Sequence, residues 1–446
     1  MRLGLLAMSG VRAHDAELTA LGLTLPGFVE RSRVIASLPS LGLLTLAGAT
    51  PRTIDLEYVD VPDVLPAPWL PGEFDAVAIS SFSAQMKEAY ELADRYRAAG
   101  TKVILGGLHV TALPHEAAAH ADAIVLGEGE PLWPRVAGDL RDGRLQAVYD
   151  ARGGRFDLAR APMPRFELLD IDKYNRLTVQ TQRGCPYDCE FCAASIRLAP
   201  GFRAKPVEKV IDEIRHLKAT WRTPFIEFAD DNTFADKRHG RALLRALAPE
   251  KVRWFTETDV SVADDEELLA LMRDSGCAQV LIGFEAPSSA ALQGLERKAN
   301  WKARQFDRYR EAIDRIQSFG ITVNGCFILG LDGTGPDSFD AVFRFVRESG
   351  LYEVQITVQT AFPGTPLYAR LEKEGRILRK DAWELCTLFD VNFQPAQMSV
   401  QELERGLRDL ARRLYDEEAT NERKSRFRER LRALYHGSHA AEAGSG

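Results

Sequence analysis

Three of the six cysteines fall within eight positions, in the stretch Arg183-Gly-Cys-Pro-Tyr-Asp-Cys-Glu-Phe-Cys192. Thiolates bind iron, and Cys185, Cys189 and Cys192 on one tight loop can each ligate one iron of a cubane cluster. The fourth iron is then left without a nearby cysteine, and an open metal position is where catalytic sites receive a substrate or cofactor. The three- and two-residue gaps differ from the paired Cys-x2-Cys of zinc ribbons, and no Cys/His pair stands at a spacing that completes a zinc site. A zinc knuckle or chance cluster is the competing reading; a noncatalytic iron–sulfur scaffold is another, against which the lack of an evident fourth cysteine argues. Cys277, Cys326 and Cys386 are widely spaced in apolar surroundings and read as small buried hydrophobes.

Cys-x3-Cys-x2-Cys after the first strand of a βα series, with Phe191 just before the last cysteine, resembles the radical S-adenosylmethionine (SAM) superfamily. The resemblance implies a [4Fe–4S] cluster on the three cysteines, SAM chelating the unique iron, and reductive cleavage of its sulfonium to a 5′-deoxyadenosyl radical. The radical chemistry belongs to the cofactor; the protein supplies position and excludes water. Further motifs follow in the family's order. Phe228-Ala-Asp-Asp-Asn-Thr-Phe234 resembles the second-strand motif beside the SAM amino group, which makes Asp230 and Asp231 expected cofactor contacts, although either could equally cap the following turn. Ile282-Gly-Phe-Glu285 resembles the fourth-strand Gly-x-Glu whose carboxylate approaches SAM, and Glu257 ends the intervening strand facing the same pocket. Phe327-Ile-Leu-Gly330 resembles the element near adenine, and Phe362-Pro-Gly-Thr-Pro366 a recurrent motif after the sixth strand.

Upstream, Val103-Ile-Leu-Gly-Gly-Leu-His109, Leu113-Pro-His-Glu116 and Val125-Leu-Gly-Glu-Gly-Glu130 closely resemble the domain that precedes the barrel in cobalamin-binding members of the superfamily. By that resemblance Ser80, Ser81, Gly106, Gly107 and Gly127 line the corrin. The Asp-x-His-x-x-Gly motif of several other B12 enzymes is absent from the sequence, which leaves cobalt ligation open. His109 reads as a packing histidine rather than a ligand. A degenerate domain serving only as a lid is the bland alternative.

The elements needed to position these residues are α/β throughout. Strand-like runs at Leu3–Ala7, Ile54–Val59, Ala76–Ser80, Val103–Leu105 and Ala123–Leu126 alternate with helix-like stretches at Ala84–Ala99 and Leu132–Leu140. This predicts a doubly wound Rossmann-like domain over residues 1–150, with ligands at the carboxyl ends of its strands. A linker over 151–170 carries Gly153-Gly154, Pro162 and Pro164. Residues 171–365 hold six more βα units, with strands at Thr178–Gln182, Phe225–Ala229, Trp254–Thr258, Val280–Phe284, Thr322–Leu329 and Val354–Thr360, which fit a partial (β/α)6 barrel. Periodic apolar faces at Val207, Val210, Ile211, Ile214 and Leu217, and at Phe306, Tyr309, Ile313 and Ile316, predict the intervening helices. Residues 366–446 read as a helical region, opened at Ser399 and Glu402 by capping-box spacing, with a loose tail after Tyr435. Ser9 to Ser37 has no clear place in this scheme. Tyr352, Gln355 and Gln359, on or beside the last strand, are either substrate contacts or interface residues.

At 45% hydrophobic and 27% charged residues and a net charge of −7, the 446-residue chain reads as globular, with no sign of a general nucleic-acid binder. No stretch is long and apolar enough for a membrane span or signal peptide, so the cytoplasm is the default. The expected function is cobalamin- and SAM-dependent methylation of an unactivated carbon in a small-molecule, lipid or peptide substrate, with a low-potential flavodoxin or ferredoxin as electron donor. A radical oxidoreductase or cyclase, with or without cobalamin, is the enzymatic alternative; an enzyme modifying transfer RNA is disfavoured by the lack of a basic RNA-binding module.

Overall fold

The computed structural model describes residues 1–8, 13–20, 38–194, 197–198 and 201–443. Of the unassigned Ser9–Ser37 stretch, residues 9–12 and 21–37 lie outside the described residues, and Ala16–Ala20 forms a short helix.

The first sheet has six strands, β1 (Arg2–Met8), β2 (Asp55–Asp60), β3 (Ala76–Ser81), β4 (Lys102–Gly106), β5 (Ala123–Leu126) and β6 (Val148–Asp150), in the order β2-β1-β3-β4-β5-β6. All neighbours pair parallel. Parallel strands are covered on both faces, so they read as near-continuous apolar runs, and Leu3, Leu5, Leu6, Ala7 and Met8 are all buried. One face, with Leu6, Val77, Ile79 and Leu105, packs on the helix Met86–Ala98. The other, with Leu5, Ala78, Ile104 and Val125, packs on the helices Leu41–Ala49 and Trp133–Arg141.

The second sheet curls from β7 (Leu177–Val179) through β10 (Phe225–Phe228), β11 (Arg253–Thr258), β12 (Cys277–Glu285) and β13 (Thr322–Leu329) to β14 (Glu353–Val358), again all parallel. Between β7 and β10 a two-stranded antiparallel pair, β8 (Gln182–Arg183) and β9 (Arg203–Ala204), stands apart. Period-two alternation sends Ile226, Phe228, Trp254, Ile282, Phe284, Phe327 and Ile356 outward into one continuous core beneath the helices. The alternate residues, among them Glu227, Glu257, Gln279, Glu285, Asn324 and Gln355, face the interior. The sheet is therefore a half-open barrel with an apolar skin and a polar lumen.

The C-terminal region closes its open edge. The helix Val400–Tyr415 starts at the expected capping box, with Ser399 Oγ accepting from Glu402 N–H and the Glu402 carboxylate accepting from Ser399 N–H. Leu403, Leu407, Leu410 and Leu414 are buried in the barrel core. Tyr415 Oη accepts from Ile356 N–H and donates to the Val354 carbonyl, occupying backbone groups that edge strand β14 would otherwise leave unpaired. The tail beyond Tyr435, expected to be loose, continues the helix Glu417–Ala443.

Among the elements that escaped the sequence reading, two show why. Strand β6 is three residues long with two of them exposed, so it carries no pattern. The helix Leu41–Ala49, capped by Ser40, is apolar on every side and shows no stripe at helical period. Replacing Ser399 with Ala should destabilise the C-terminal region by about 1 kcal/mol, read as a lower denaturant midpoint.

Candidate active site at the domain seam

The cysteine loop leaves the barrel after β7 and is closed at its root by the β8–β9 pair. There the chain crosses itself: Gly184 has φ +87°, and a Cβ on it would stand 1.9 Å from the Gly201 carbonyl oxygen. Only glycine satisfies both constraints. The root is fixed from the loop after β10. The Asp230 carboxylate accepts from Thr181 N–H (2.8 Å), Gln182 N–H (3.0 Å) and the Thr181 and Thr233 hydroxyls (2.5 and 2.8 Å). Asp231 accepts from Gly184 N–H at 2.9 Å. Asp230 is thus spent on shaping the loop; burial pushes it up to about 6, against the pull of those hydrogen bonds. Phe191 is half-buried against the barrel core.

Further along, Cys189 forms an isolated bridge with Glu296, whose carboxylate accepts from the backbone of Asp188, Lys298, Ala299 and Trp301. Arg197 donates to the Cys189 and Cys192 carbonyls. All three thiols are free, and burial pushes Cys185, Cys189 and Cys192 up to about 11, 12 and 11. Cys185 and Cys189 each feel the charge of another cysteine of the loop, and thiolates packed this deeply require a compensating cation. Among the described residues no three His, Cys, Asp or Glu side chains converge on a single metal ion. A cubane makes no such demand, because it takes one thiolate per iron.

Inside the lumen, Glu257 retains exposed surface while lying deep among protein atoms, as a residue facing an internal space does. Burial and then the carboxylates of Glu227, Asp231, Glu285 and Asp230 push it up to about 8. Glu285 sits at a register shift in β12 with φ +63°, an uncommon conformation for a residue with a side chain. Its carboxylate pairs with Lys302 Nζ at 2.6 Å. Cys326, expected among apolar neighbours, instead faces this lumen and lies within the fields of Glu285 and Glu257.

A cavity of about 1190 Å³ of empty space, part of it open to solvent, runs from the carboxyl edge of the first sheet to the root of the cysteine loop. It enters between the sheet (Ala78, Ile104, Val125) and the helices that carry Leu41, Leu46 and Trp133. Ser80, Gly106, Gly107 and Gly127 line it; Ser81 does not. Gly107 has φ +111°, and a Cβ there would find only Ser80 Oγ within 4 Å, at 3.9 Å, so a side chain would project into the cavity. The far wall comes from the barrel through Gln180, Arg183, Lys205 and Ala229.

The seam itself is ionic, and the sequence reading missed it. Arg183, two residues before Cys185, donates to Glu128 and Glu130 at 2.6 Å each, and Arg203 donates to Glu128 as well. The other Glu128 oxygen accepts from Phe156 N–H at 2.9 Å. Burial opposes ionisation of Glu130, but the Arg183 guanidinium outweighs it and holds the carboxyl below its ordinary range. Both glutamates stand in the Gly-Glu-Gly-Glu run; the signal lay in that motif, without its partners.

His109 does not line the cavity. Its Nδ1 lies 3.1 Å from Ser83 Oγ and its Nε2 3.4 Å from Glu116, which also accepts from Trp383 Nε1. Both ring nitrogens are engaged within the first domain, and the ring stands edge-on to Trp383 of the C-terminal region at 5.4 Å. Tyr352 packs on Phe427 at 5.1 Å and is an interface residue, whereas Gln355 faces the lumen and Gln359 is buried.

Comparison with known proteins covers most of the chain. The radical SAM superfamily matches residues 179–346, the B12 binding domain residues 38–137, and a domain of unknown function, DUF4070, residues 365–443. An uncharacterized methyltransferase of Synechocystis sp. is 30% identical over 81% of this chain and 68% of its own length. The bacteriochlorophyllide d C-12(1)-methyltransferase of Chlorobaculum tepidum is 28% identical over 84% and 82%, and the hopanoid C-2 methylase of Rhodopseudomonas palustris 28% over 78% and 67%. In fold, the radical SAM methyltransferase TsrM from Kitasatospora setae, solved with cobalamin and a [4Fe–4S] cluster, superposes with a TM-score of 0.61 at 16% identity, covering 91% of this chain and 81% of that one.

Two outcomes follow from the geometry. Glu128→Gln leaves two buried guanidinium groups under-compensated and should cost about 3–5 kcal/mol in denaturant unfolding. For Glu257, a carboxyl raised in the folded state contributes stability below its unfolded value, and that contribution is lost as pH climbs toward about 8. The thermal midpoint of the cofactor-free Glu257→Gln variant should therefore gain on wild type steadily between pH 5 and pH 8.

Proposed function

Since the chain belongs to the cobalamin-binding branch of the radical SAM superfamily, we propose that it methylates an unactivated carbon of a small-molecule, lipid or peptide acceptor, using a [4Fe–4S] cluster, SAM and cobalamin. The observation that carries the reading is the cavity between the two sheets, which joins glycine-lined strand ends to the root of a three-cysteine loop. Bound there, the reduced cluster and SAM supply a primary-carbon radical for hydrogen abstraction, and methylcobalamin supplies the methyl group.

The chain's own residues fit these groups. Cys185, Cys189 and Cys192 hold three irons, and the iron charge is what lets such deeply buried thiols ionise. Glu257 and Glu285 give the lumen the negative surface that a sulfonium and an ammonium require, with Glu257 as the carboxyl most relieved by an added cation. Asp230 and Asp231 fix the root of the loop that presents the cluster to SAM. Ser80, Gly106, Gly107 and Gly127 keep the sheet edge free of side chains, so that a corrin can approach the backbone, and the apolar slot beneath takes an appended group. Arg183, Glu128, Glu130 and Arg203 hold the two cofactor sites in register and close the seam to water.

A low-potential flavodoxin or ferredoxin supplies the electron, and the cytoplasm is the compartment that suits an oxygen-sensitive cluster. No helix among the described residues is long and apolar enough to cross a membrane.

Anaerobic reconstitution with iron, sulfide and hydroxocobalamin, followed by removal of unbound material, tests the reading. About four irons and about one cobalt per chain are expected. Changing the three cysteines to Ala should abolish iron binding, and Gly107→Leu should lose cobalt while keeping iron. Iron without cobalt in the wild type would overturn methyl transfer, and deoxyadenosine formed without S-adenosylhomocysteine would point to a cyclase or oxidoreductase instead.

A further inference from the structure

Lys302 brings a cation to the carboxylate-lined lumen, and no motif of the sequence singles it out. Its side chain is 13% exposed, and Nζ donates to Glu285 Oε1 at 2.6 Å and to the Gly283 carbonyl at 2.9 Å. These two acceptors flank the register shift in β12, so one ammonium spans the irregularity from which Glu285 projects. A Cβ on Gly283 would stand 2.3 Å from Glu285 Oε1 and 3.1 Å from Nζ, which explains why glycine occupies that position.

The segment bearing Lys302 is anchored to the cysteine loop. The Trp301 ring stacks on Tyr187, between Cys185 and Cys189, with centroids 4.6 Å apart, and Trp301 N–H donates to Glu296, which bridges to Cys189. Tyr309 Oη lies 3.4 Å from the Lys302 carbonyl and 3.2 Å from that of Phe284. Burial alone would lower Lys302, but the Glu285 carboxylate outweighs it and holds the ammonium charged.

We propose that Lys302 is a positioning residue of the redox centre: it pins Glu285 at the mouth of the lumen, and its fixed charge makes a cluster ligated through Cys189 easier to reduce. The inference rests on the cluster assignment above. Reduction adds one electron, supplied by the external low-potential donor, to the cluster. A cation held nearby in a poorly screened interior stabilises that added charge, whereas Glu285 opposes it.

The test is an EPR-monitored redox titration of the reconstituted protein without SAM. Lys302→Met should move the midpoint potential to more negative values, and Glu285→Gln, which leaves Lys302 without its counter-charge, to more positive ones. Lys302→Arg should stay near wild type. The double variant Lys302→Met/Glu285→Gln leaves no unpaired buried charge, so it escapes the folding defect that a lone Glu285 invites, and should fall between the two single variants. A disturbance of packing alone would move both single variants the same way. An unmoved potential in Lys302→Met, or shifts of like sign, would overturn the proposal. A wild-type chain that takes up no iron would overturn the cofactor assignment, and this proposal with it, before any titration begins.

Discussion

Everything in the arrangement depends on a small set of charges buried between two sheets. Glu128 and Glu130 come from the loop after the fifth strand of the first sheet; Arg183 and Arg203 come from the short antiparallel pair at the root of the cysteine loop. Taking such groups out of water is costly, and an apolar seam of the same volume would hold the domains together at least as well. What the ionic seam adds is register. Guanidinium groups bind carboxylates with fixed direction, so the strand ends of one sheet face the loop of the other in one orientation. A greasy interface could slide; this one cannot without uncovering charge.

The same logic, inverted, governs the lumen. There the carboxylates outnumber the cations. Glu227 is answered by Arg176 and Glu285 by Lys302, which leaves Glu257 among neighbours of its own sign. An interior that accumulates negative charge without matching it is poorly designed for stability and well designed for a cationic ligand, which removes the conflict on arrival. The helices around the barrel carry the cost: the apolar skin from Ile226 to Ile356 is nearly continuous and owes nothing to the chemistry inside.

Much of this was legible in the sequence, for reasons that differ by element. The barrel strands could be read because alternation survives in them, as from Cys277 to Glu285, and the helices because their buried faces recur at helical period. The cysteine loop could be read because three thiols at close spacing have few other uses. Pairings were not legible. Nothing in Val125 to Glu130 announces that two of its acids meet arginines more than fifty residues away, and nothing marks Lys302 as the partner of Glu285. Asp230 was visible through its motif, but the hydrogen bonds by which it ties the root of the cysteine loop were not, since a backbone partner leaves no mark in a sequence. Ser81, one residue along the strand from Ser80, missed the cavity because successive side chains point to opposite faces.

The first domain is fastened to the rest at places far apart along the chain. Besides the ionic seam, Glu116 and Lys87 reach Trp383 and Glu384, Asp60 accepts from Tyr174, and Asp15 and Glu17 near the N-terminus grip Arg408 and Arg412 on a C-terminal helix. Because these anchors come from stretches far apart along the chain, parting the first domain from the rest means breaking several of them together rather than one at a time.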